Sequence, residues 1–220
     1  MDFKKYNNLV DLFFDQYERQ TKDKIFLSDL KQLNKNLSWH DVKSKVLQLA
    51  FEISKIIKKG DRCLLISENR PEWMISDLSI MLAGGITVPA YTTYLARDYE
   101  YIINDCTPTL VLVSNDEQFN KIKSICERNS FIKKIFSFEK LSQINSDAYF
   151  NIEKLIKERN VNEVIKLESK SKRSDPACII YTSGTQGNPK GVVLSHGGIL
   201  SNCEGVMSCL NQLFKRKQDS

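Results

Sequence analysis

"RCLLISENRPEWMISDLSIMLAGGITVPA", residues 62–90, is the stretch that decides the fold. Its "RCLLIS" is a short apolar run bounded by polar letters, the pattern of a buried strand. Pro71 then stands at the first turn of a run with helical character, where its fixed φ and missing N–H cost nothing. Gly84 and Gly85 stop that run. A second short apolar segment, "ITVPAY", follows at once. Strand, helix, strand is the repeating unit of a parallel α/β sheet.

The same alternation continues downstream. "RDYEYIIND" reads as a helix, "TLVLVS" as a strand, "NDEQFNKIKSICERN" as a helix and "KKIFSF" as a strand. Upstream, residues 3–20 read as one amphipathic helix with Leu9, Phe13 and Tyr17 on one face. "KIFLSDLKQLNKNLSW" reads as a hairpin turning at Asn34 to Asn36. Ser38, with Asp41 three positions on, caps a helix whose Val42, Val46, Leu49, Ala50, Ile53 and Ile57 form a stripe, and Gly60 ends it. Between residues 139 and 174 the pattern weakens: a polar helix over about 151–168 and the charged linker "ESKSKRSD" read as an excursion outside the sheet. "PACIIYTSG" resumes as a buried strand, and "GVVLSHGGIL" as a strand running into a helix.

Composition narrows the function classes. With 41% apolar and 10% aromatic residues the chain has material for a core. The net charge of +5 arises from 32 basic and 27 acidic residues, spread in short clusters at Lys133–Lys134, Lys170–Arg173 and Lys215–Lys217. Nucleic acid would call for one concentrated basic face, and none is visible. Cys63, Cys106, Cys126, Cys178, Cys203 and Cys209 contain no CxxC pair, and His40 and His196 lack ligand spacing, so a zinc site is not expected. Thiols set in apolar segments point to a reducing, cytoplasmic setting. Residues 78–96 carry no charge, but the glycine pair and Pro89 divide them into a helix and a strand rather than a membrane span. The N-terminus lacks the apolar core of a signal peptide.

The loop after the "PACIIY" strand, "YTSGTQGNPKG" (181–191), carries the chemistry. Glycine-rich backbone can aim several N–H groups at one anion, hydroxyls add donors, and a lysine supplies charge-assisted bonds to phosphate oxygens. It is not a Walker loop, because Pro189 rather than glycine precedes Lys190 and Gly191 follows it. Nor is it GxGxxG. On composition alone a phosphate cradle and a plain hairpin turn at Asn188–Pro189 both remain open.

Resemblance separates those two. "IIYTSGTQGNPKGVVLSHGGIL" resembles the phosphate-loop signature of the adenylate-forming (AMP-binding) superfamily, which includes acyl-CoA synthetases, peptide-synthetase adenylation domains and luciferases. Gln186 is the one departure, standing where the family usually has Thr, Ser or Glu. "SENRPEW", "GGITVPAY" and "YIINDCTPTLVLV" are similar to the N-terminal region of long-chain fatty acid–CoA ligases. The resemblance runs from about residue 5 to about residue 212.

It implies an α/β fold with a mostly parallel sheet flanked by helices, forming an incomplete N-terminal part of the family's large domain. It also implies the family's two half-reactions: a carboxylate attacks the α-phosphate of ATP and pyrophosphate leaves, then the thiol of coenzyme A displaces AMP. By resemblance Thr182, Ser183, Gly184, Thr185, Gln186, Gly187 and Lys190 hold the β- and γ-phosphates, and Thr182 approaches the Mg²⁺ that accompanies them. Ser195 and His196 read as the cap and first turn of the next helix, in preference to a catalytic base at His196. No catalytic residue is expected among residues 1–220. The family's adenine site, acyl tunnel, acidic Mg²⁺ ligand and C-terminal lid lie in later segments, so the coenzyme A site is not expected here either. The chain is therefore expected to be inactive alone and prone to aggregate, with the remainder of the enzyme as its partner. A fatty acid or other carboxylate is the expected substrate, and peripheral membrane association is compatible with such a substrate. The alternative is a non-catalytic nucleotide-phosphate-binding module or a decayed remnant.

Overall fold

The computed structural model describes residues 2–29, 36–142, 148–157, 169–182 and 189–218, with side chains described as far as residue 210. The helix expected over 3–20 is divided in two. A 3-10 turn spans Phe3–Lys5, and α1 spans Leu9–Arg19. The break lies at Asn8, whose Oδ1 accepts the Asp11 amide at 2.9 Å and so caps α1 in competition with a continuous helix. β1 (Ile25–Ser28) and β2 (Asn36–Ser38) pair antiparallel as the hairpin pattern implies, but Asn36, expected in the turn, already pairs with Ser28 in the strand; residues 30–35 lie outside the described residues.

α2 (Trp39–Ser54) opens with the expected capping box between Ser38 and Asp41. Its expected stripe is buried, including Ile57 just beyond the helix. Gly60 does not end α2, which closes at Ser54. Instead Gly60 has φ +88 and turns the chain into the next strand.

β3 (Arg62–Ile66), α3 (Pro71–Leu82), β4 (Ile86–Ala90), α4 (Ala96–Cys106), β5 (Leu110–Val113), α5 (Asp116–Arg128) and β6 (Lys134–Ser137) follow the predicted alternation. Gly84 takes φ +85 after α3, and a side chain at Gly85 would come within 2.7 Å of Ile57 Cδ1 and 2.9 Å of Ile80 Cγ2. The glycine pair thus serves both the turn and the close approach of α3 to α2. β7 (Tyr149–Asn151) and α6 (Ile152–Lys157) come next, then β8 (Pro176–Thr182), β9 (Lys190–Ser195) and α7 (His196–Gln218).

The large sheet has seven strands in the order β7-β6-β5-β3-β4-β8-β9. Every neighbouring pair is parallel except β8 with β9. One expectation changes here. The segment 139–174 does not lie wholly outside the sheet, because Tyr149–Asn151 pairs with Ile135–Ser137 as its edge strand. Three residues are too few for a period to be visible in the sequence.

Alternate residues of the central strands feed opposite cores, as a pleated strand requires. Cys63, Leu65 and Leu112 pack with α1, α2 and α3, while Leu64, Ile66, Val111 and Val113 pack with α4 and α5. All seven of these side chains are fully buried, each contributing about 1.5–3 kcal/mol for the larger aliphatics. Helices on both faces and parallel strands between them bear out the predicted α/β class. The four strand and helix thiols at Cys63, Cys106, Cys126 and Cys178 are buried and free. Burial pushes Cys106 and Cys126 up to about 12 and Cys178 up to about 11, so they behave as small hydrophobes. Among the described residues no helix is long and apolar enough to cross a membrane.

Candidate functional site

Parallel sheets bind ligands outside the carboxyl ends of their strands. At that edge β3, β4 and β8 enclose a crevice of about 510 Å³, lined by Ser67, Asn69, Trp73, Tyr91, Thr92 and Ile180, among others. Trp73 enters from the first turn of α3. Tyr91 follows directly on β4 and is 67% exposed, and Tyr94 packs edge-to-face on it with ring centroids 5.5 Å apart. One wall is therefore apolar and aromatic. The strand ends add backbone and hydroxyl groups.

Beside this crevice β8 ends at Thr182 and β9 begins at Lys190. The two residues are cross-strand partners, the last rung of the antiparallel ladder. Partners on one rung have their side chains on the same face of the sheet. Both residues are exposed, so a hydroxyl-bearing and an ammonium-bearing side chain leave one face of the sheet at the root of the loop. Of the expected phosphate contacts, Thr182 and Lys190 are thus brought together. Ser183, Gly184, Thr185, Gln186 and Gly187 lie outside the described residues.

The root is held from behind. Tyr181 is 4% exposed and its hydroxyl donates to Asp105 Oδ2 on α4. Its ring stands edge-on to Tyr101, one helical turn earlier, with centroids 6.5 Å apart. Burial first, and then the Asp105 carboxylate, pushes the Tyr181 phenol up, which keeps it a protonated donor. Gly191, directly opposite Tyr181, is closely packed: a Cβ there would meet Ile179 Cγ2 at 3.0 Å and Tyr181 Cζ at 3.2 Å. Sequence reading missed Asp105 as part of this arrangement. It sits in an ordinary amphipathic helix, and its contact is with a residue 76 positions away.

His196 lies at the other end of the hairpin. β9 runs antiparallel to β8, so Ser195 pairs with Pro176 while Lys190 pairs with Thr182. Six strand residues separate the two ends, about 17–20 Å at 3.3 Å per residue. Ser195 Oγ accepts the Gly198 amide at 3.1 Å as a helix cap, in agreement with the cap reading. His196 is 1% exposed and its Nδ1 faces the Leu9 amide at 3.4 Å. Burial holds its pKa below the usual value of 6.5. It is a neutral packing residue remote from the loop.

Magnesium takes about six oxygen ligands in an octahedron. Thr182 offers one neutral oxygen, and among the described residues no group of three His, Cys, Asp or Glu is placed to hold a metal. Thr182 can supply one oxygen to such a shell.

Comparison with known proteins places this geometry. The profile of the family described as AMP-binding enzyme matches residues 13–220. Among curated relatives, the long-chain-fatty-acid–CoA ligase ACSBG2 of Xenopus laevis is 31% identical over 141 residues, 61% of this chain and 19% of that protein. Fatty acyl-CoA synthetase A of Dictyostelium discoideum is 33% identical over 157 residues, 68% of this chain and 23% of that protein. The chain therefore spans about a fifth to a quarter of the curated relatives it matches. Among solved structures, the anthranilate CoA ligase AuaEII superposes with a TM-score of 0.76 at 23% identity, over 89% of this chain and 36% of that one. The luciferase-like enzyme of the mealworm Zophobas morio superposes with a TM-score of 0.75 at 20% identity, over 89% and 44%. A profile match over nearly all of the sequence, on a sheet whose β8–β9 hairpin carries the signature loop, shows that the chain belongs to the AMP-binding enzyme family.

Proposed function

We propose that these residues form the ATP-phosphate-binding part of an acid–thiol ligase that joins a fatty acid to coenzyme A. The observation that carries the reading is the Thr182–Lys190 rung at the root of the signature loop, beside the crevice at the ends of β3, β4 and β8. A lysine and a threonine paired on one face suit the oxygens of a polyphosphate, where charge-assisted bonds are the strong ones. Ser183, Gly184, Thr185, Gln186 and Gly187 add backbone and side-chain donors by their place in the signature. Mg²⁺ would neutralise the phosphates as they bind, with Thr182 as one of its ligands.

The proposed chemistry is that of an acid–thiol ligase. A carboxylate oxygen forms a bond to the α-phosphorus, the bond to pyrophosphate breaks, and the coenzyme A thiol then replaces AMP on the acyl carbon. Lys190 and Thr182 stabilise charge on the departing pyrophosphate, the part of the reaction that electrostatic preorganisation serves best. These residues bind nucleotide without completing either half-reaction alone. A cytoplasmic enzyme with access to lipid substrate fits the assignment.

Calorimetric titration of the 220-residue chain with Mg·ATP, beside an ATP–pyrophosphate exchange assay with fatty acid, tests both halves. The expected result is saturable binding without exchange. Absence of binding at millimolar nucleotide would overturn the phosphate assignment. Exchange by the chain alone would overturn the restriction to binding.

A further inference from the structure

The signature begins with Tyr181 and ends with Gly191, and neither residue offers a group suited to gripping a phosphate. Tyr181 borders the crevice, but its phenol is engaged by Asp105, and Gly191 has no side chain to offer. They are partners on one rung, immediately below the rung formed by Thr182 and Lys190.

Three contacts meet on this lower rung. The Tyr181 ring lies over the space where a Cβ of Gly191 would stand. Its edge meets Tyr101, and its hydroxyl bonds Asp105. Tyr101 and Asp105 are i and i+4 on α4, the spacing that puts two side chains on one helix face. α4 in turn is fixed to the sheet by the buried Tyr99, Ile102 and Ile103. A rigid helix thereby grips the hairpin one residue before the loop begins. This matters because the grip is applied next to the loop, at the far end of β8 from Ala177, which is buried in the core. β9 is an edge strand, and β8 pairs with β4 at Thr87 with Cys178.

We propose that Tyr181 is a positioning residue for phosphate binding: held by Asp105 and seated on Gly191, it fixes the direction in which Thr182 and Lys190 present their donors. The inference rests on the phosphate-binding assignment above. Preorganisation of this kind acts through another residue's geometry, since a displacement of about 1 Å is enough to weaken a bound group. It also explains why the motif closes on a glycine. A Cβ at 191 would crowd Ile179 and the Tyr181 ring, and one of them would have to shift to admit it.

Three variants test it: Tyr181→Phe keeps the ring and removes the donor, Asp105→Ala removes the acceptor, and Asp105→Asn restores a neutral acceptor. Two readouts are taken, Mg·ATP affinity by calorimetry and hydrogen–deuterium exchange of the amides in Ile179–Thr182 and Lys190–Val193. Tyr181→Phe and Asp105→Ala should each weaken binding by about tenfold, the scale of one charge-assisted hydrogen bond. The double variant should be no worse than either single one, and Asp105→Asn should recover most of the loss. Exchange should quicken at the hairpin while the amides of β3 and β5 stay protected. A merely structural role would lower the melting temperature and leave the affinity of the folded chain unchanged. If the parent chain binds and the two disabling variants bind within about twofold of it, the positioning role is overturned. If the parent chain does not bind, the phosphate assignment has failed, and exchange decides the grip alone: unaltered exchange in Tyr181→Phe refutes it, faster exchange confined to the hairpin sustains it.

Discussion

His196 Nδ1 faces the amide of Leu9 at 3.4 Å, tying the β9–α7 junction to the first turn of α1. The tie is one strand of a larger clasp. Asn8 Nδ2 donates to Ser171 O at 2.9 Å, Arg173 Nη1 donates to the carbonyls of Phe3 and Tyr6, and Lys59 pairs with Asp175 at 2.7 Å. Only a neutral imidazole can accept at Nδ1, so this end of the molecule depends on pH. Burial lowers the folded-state pKa of His196, against the pull of Asp175 and Asp11 and with a small push from Lys59.

For a base depressed in the folded state, the unfolded chain binds the proton first. Stability is then fully present above about pH 6.5 and lost as the pH falls toward the folded value. The expected outcome is a melting temperature that declines between about pH 7 and pH 5, and a shallower decline in His196→Asn. Thermal melts of both proteins across that range check it, and parallel slopes would refute it.

The Lys190 side chain is exposed at the end of β9, on the last rung of the β8–β9 ladder. Lys190→Ala should therefore leave the melting temperature of the unliganded chain within a degree or so, since surface changes are usually within about 0.5 kcal/mol. Its Mg·ATP affinity should fall by about tenfold or more, the scale of a lost charge-assisted bond. Lys190→Arg should retain part of the affinity. Calorimetry on the three chains checks the order, and equal affinities would remove Lys190 from the site.

Local chemistry was legible in the sequence, and long-range placement was not. The Ser38–Asp41 box, Pro71 at the start of α3, Gly84–Gly85 at its end and the apolar runs of β3, β5 and β6 are each fixed by neighbours within a few residues, so pattern alone locates them. β7 was hidden because its pairing comes from β6, not from any period of its own. The break at Asn8 was hidden because a cap competes with a helix only once the segment before it is held elsewhere, here by Arg173 on the Phe3 and Tyr6 carbonyls. The signature loop announced itself by composition and resemblance. What supports it, Asp105 on α4, carries no local signal. Its role arises from a crossover that brings residue 105 to residue 181.

Asp77, on α3, is a buried carboxyl on which the proposed chemistry makes no demand. The residue keeps some accessible surface, but its carboxyl is turned inward, close enough to Cys178 of β8 to help push that thiol up. Burial raises Asp77 from 3.8 to about 6, and the Thr87 hydroxyl of β4 opposes the rise. A raised carboxyl pKa means the folded state binds the proton more tightly, so stability is greatest below about pH 4 and is lost as the pH passes 6. At neutral pH the charge is a burden. Asp77→Asn should raise the denaturation midpoint at pH 7.5 and lose that gain at pH 4. Urea titrations at the two pH values check this, and a gain that is independent of pH would show that packing, not charge, is responsible.

Thr107 closes α4 in the left-handed region, φ +44 and ψ +64, the one described non-glycine residue with positive φ. A β-branched side chain there costs about 1–2 kcal/mol. Arg62 holds it in place: Nη2 donates to Thr107 Oγ1 at 2.7 Å and to its carbonyl at 3.2 Å, while Nε donates to the Cys106 carbonyl at 2.8 Å. The Thr107 amide also satisfies Ile103 O at 2.9 Å as the helix cap. Two substitutions separate the backbone term from the side-chain bond. Asparagine tolerates the left-handed region and keeps a side-chain acceptor for Arg62, so Thr107→Asn should stabilise by about 0.5–1 kcal/mol, or roughly 1–4 °C in melting temperature. Thr107→Ala keeps the Cβ penalty and deletes the acceptor, so it should destabilise by about 1 kcal/mol. Because Arg62 opens β3 and Thr107 precedes β5, a loosened cap should also speed amide exchange at the start of both strands. Stabilisation by alanine as large as by asparagine would mean that the Arg62 bond contributes nothing and that relief of side-chain crowding alone sets the outcome.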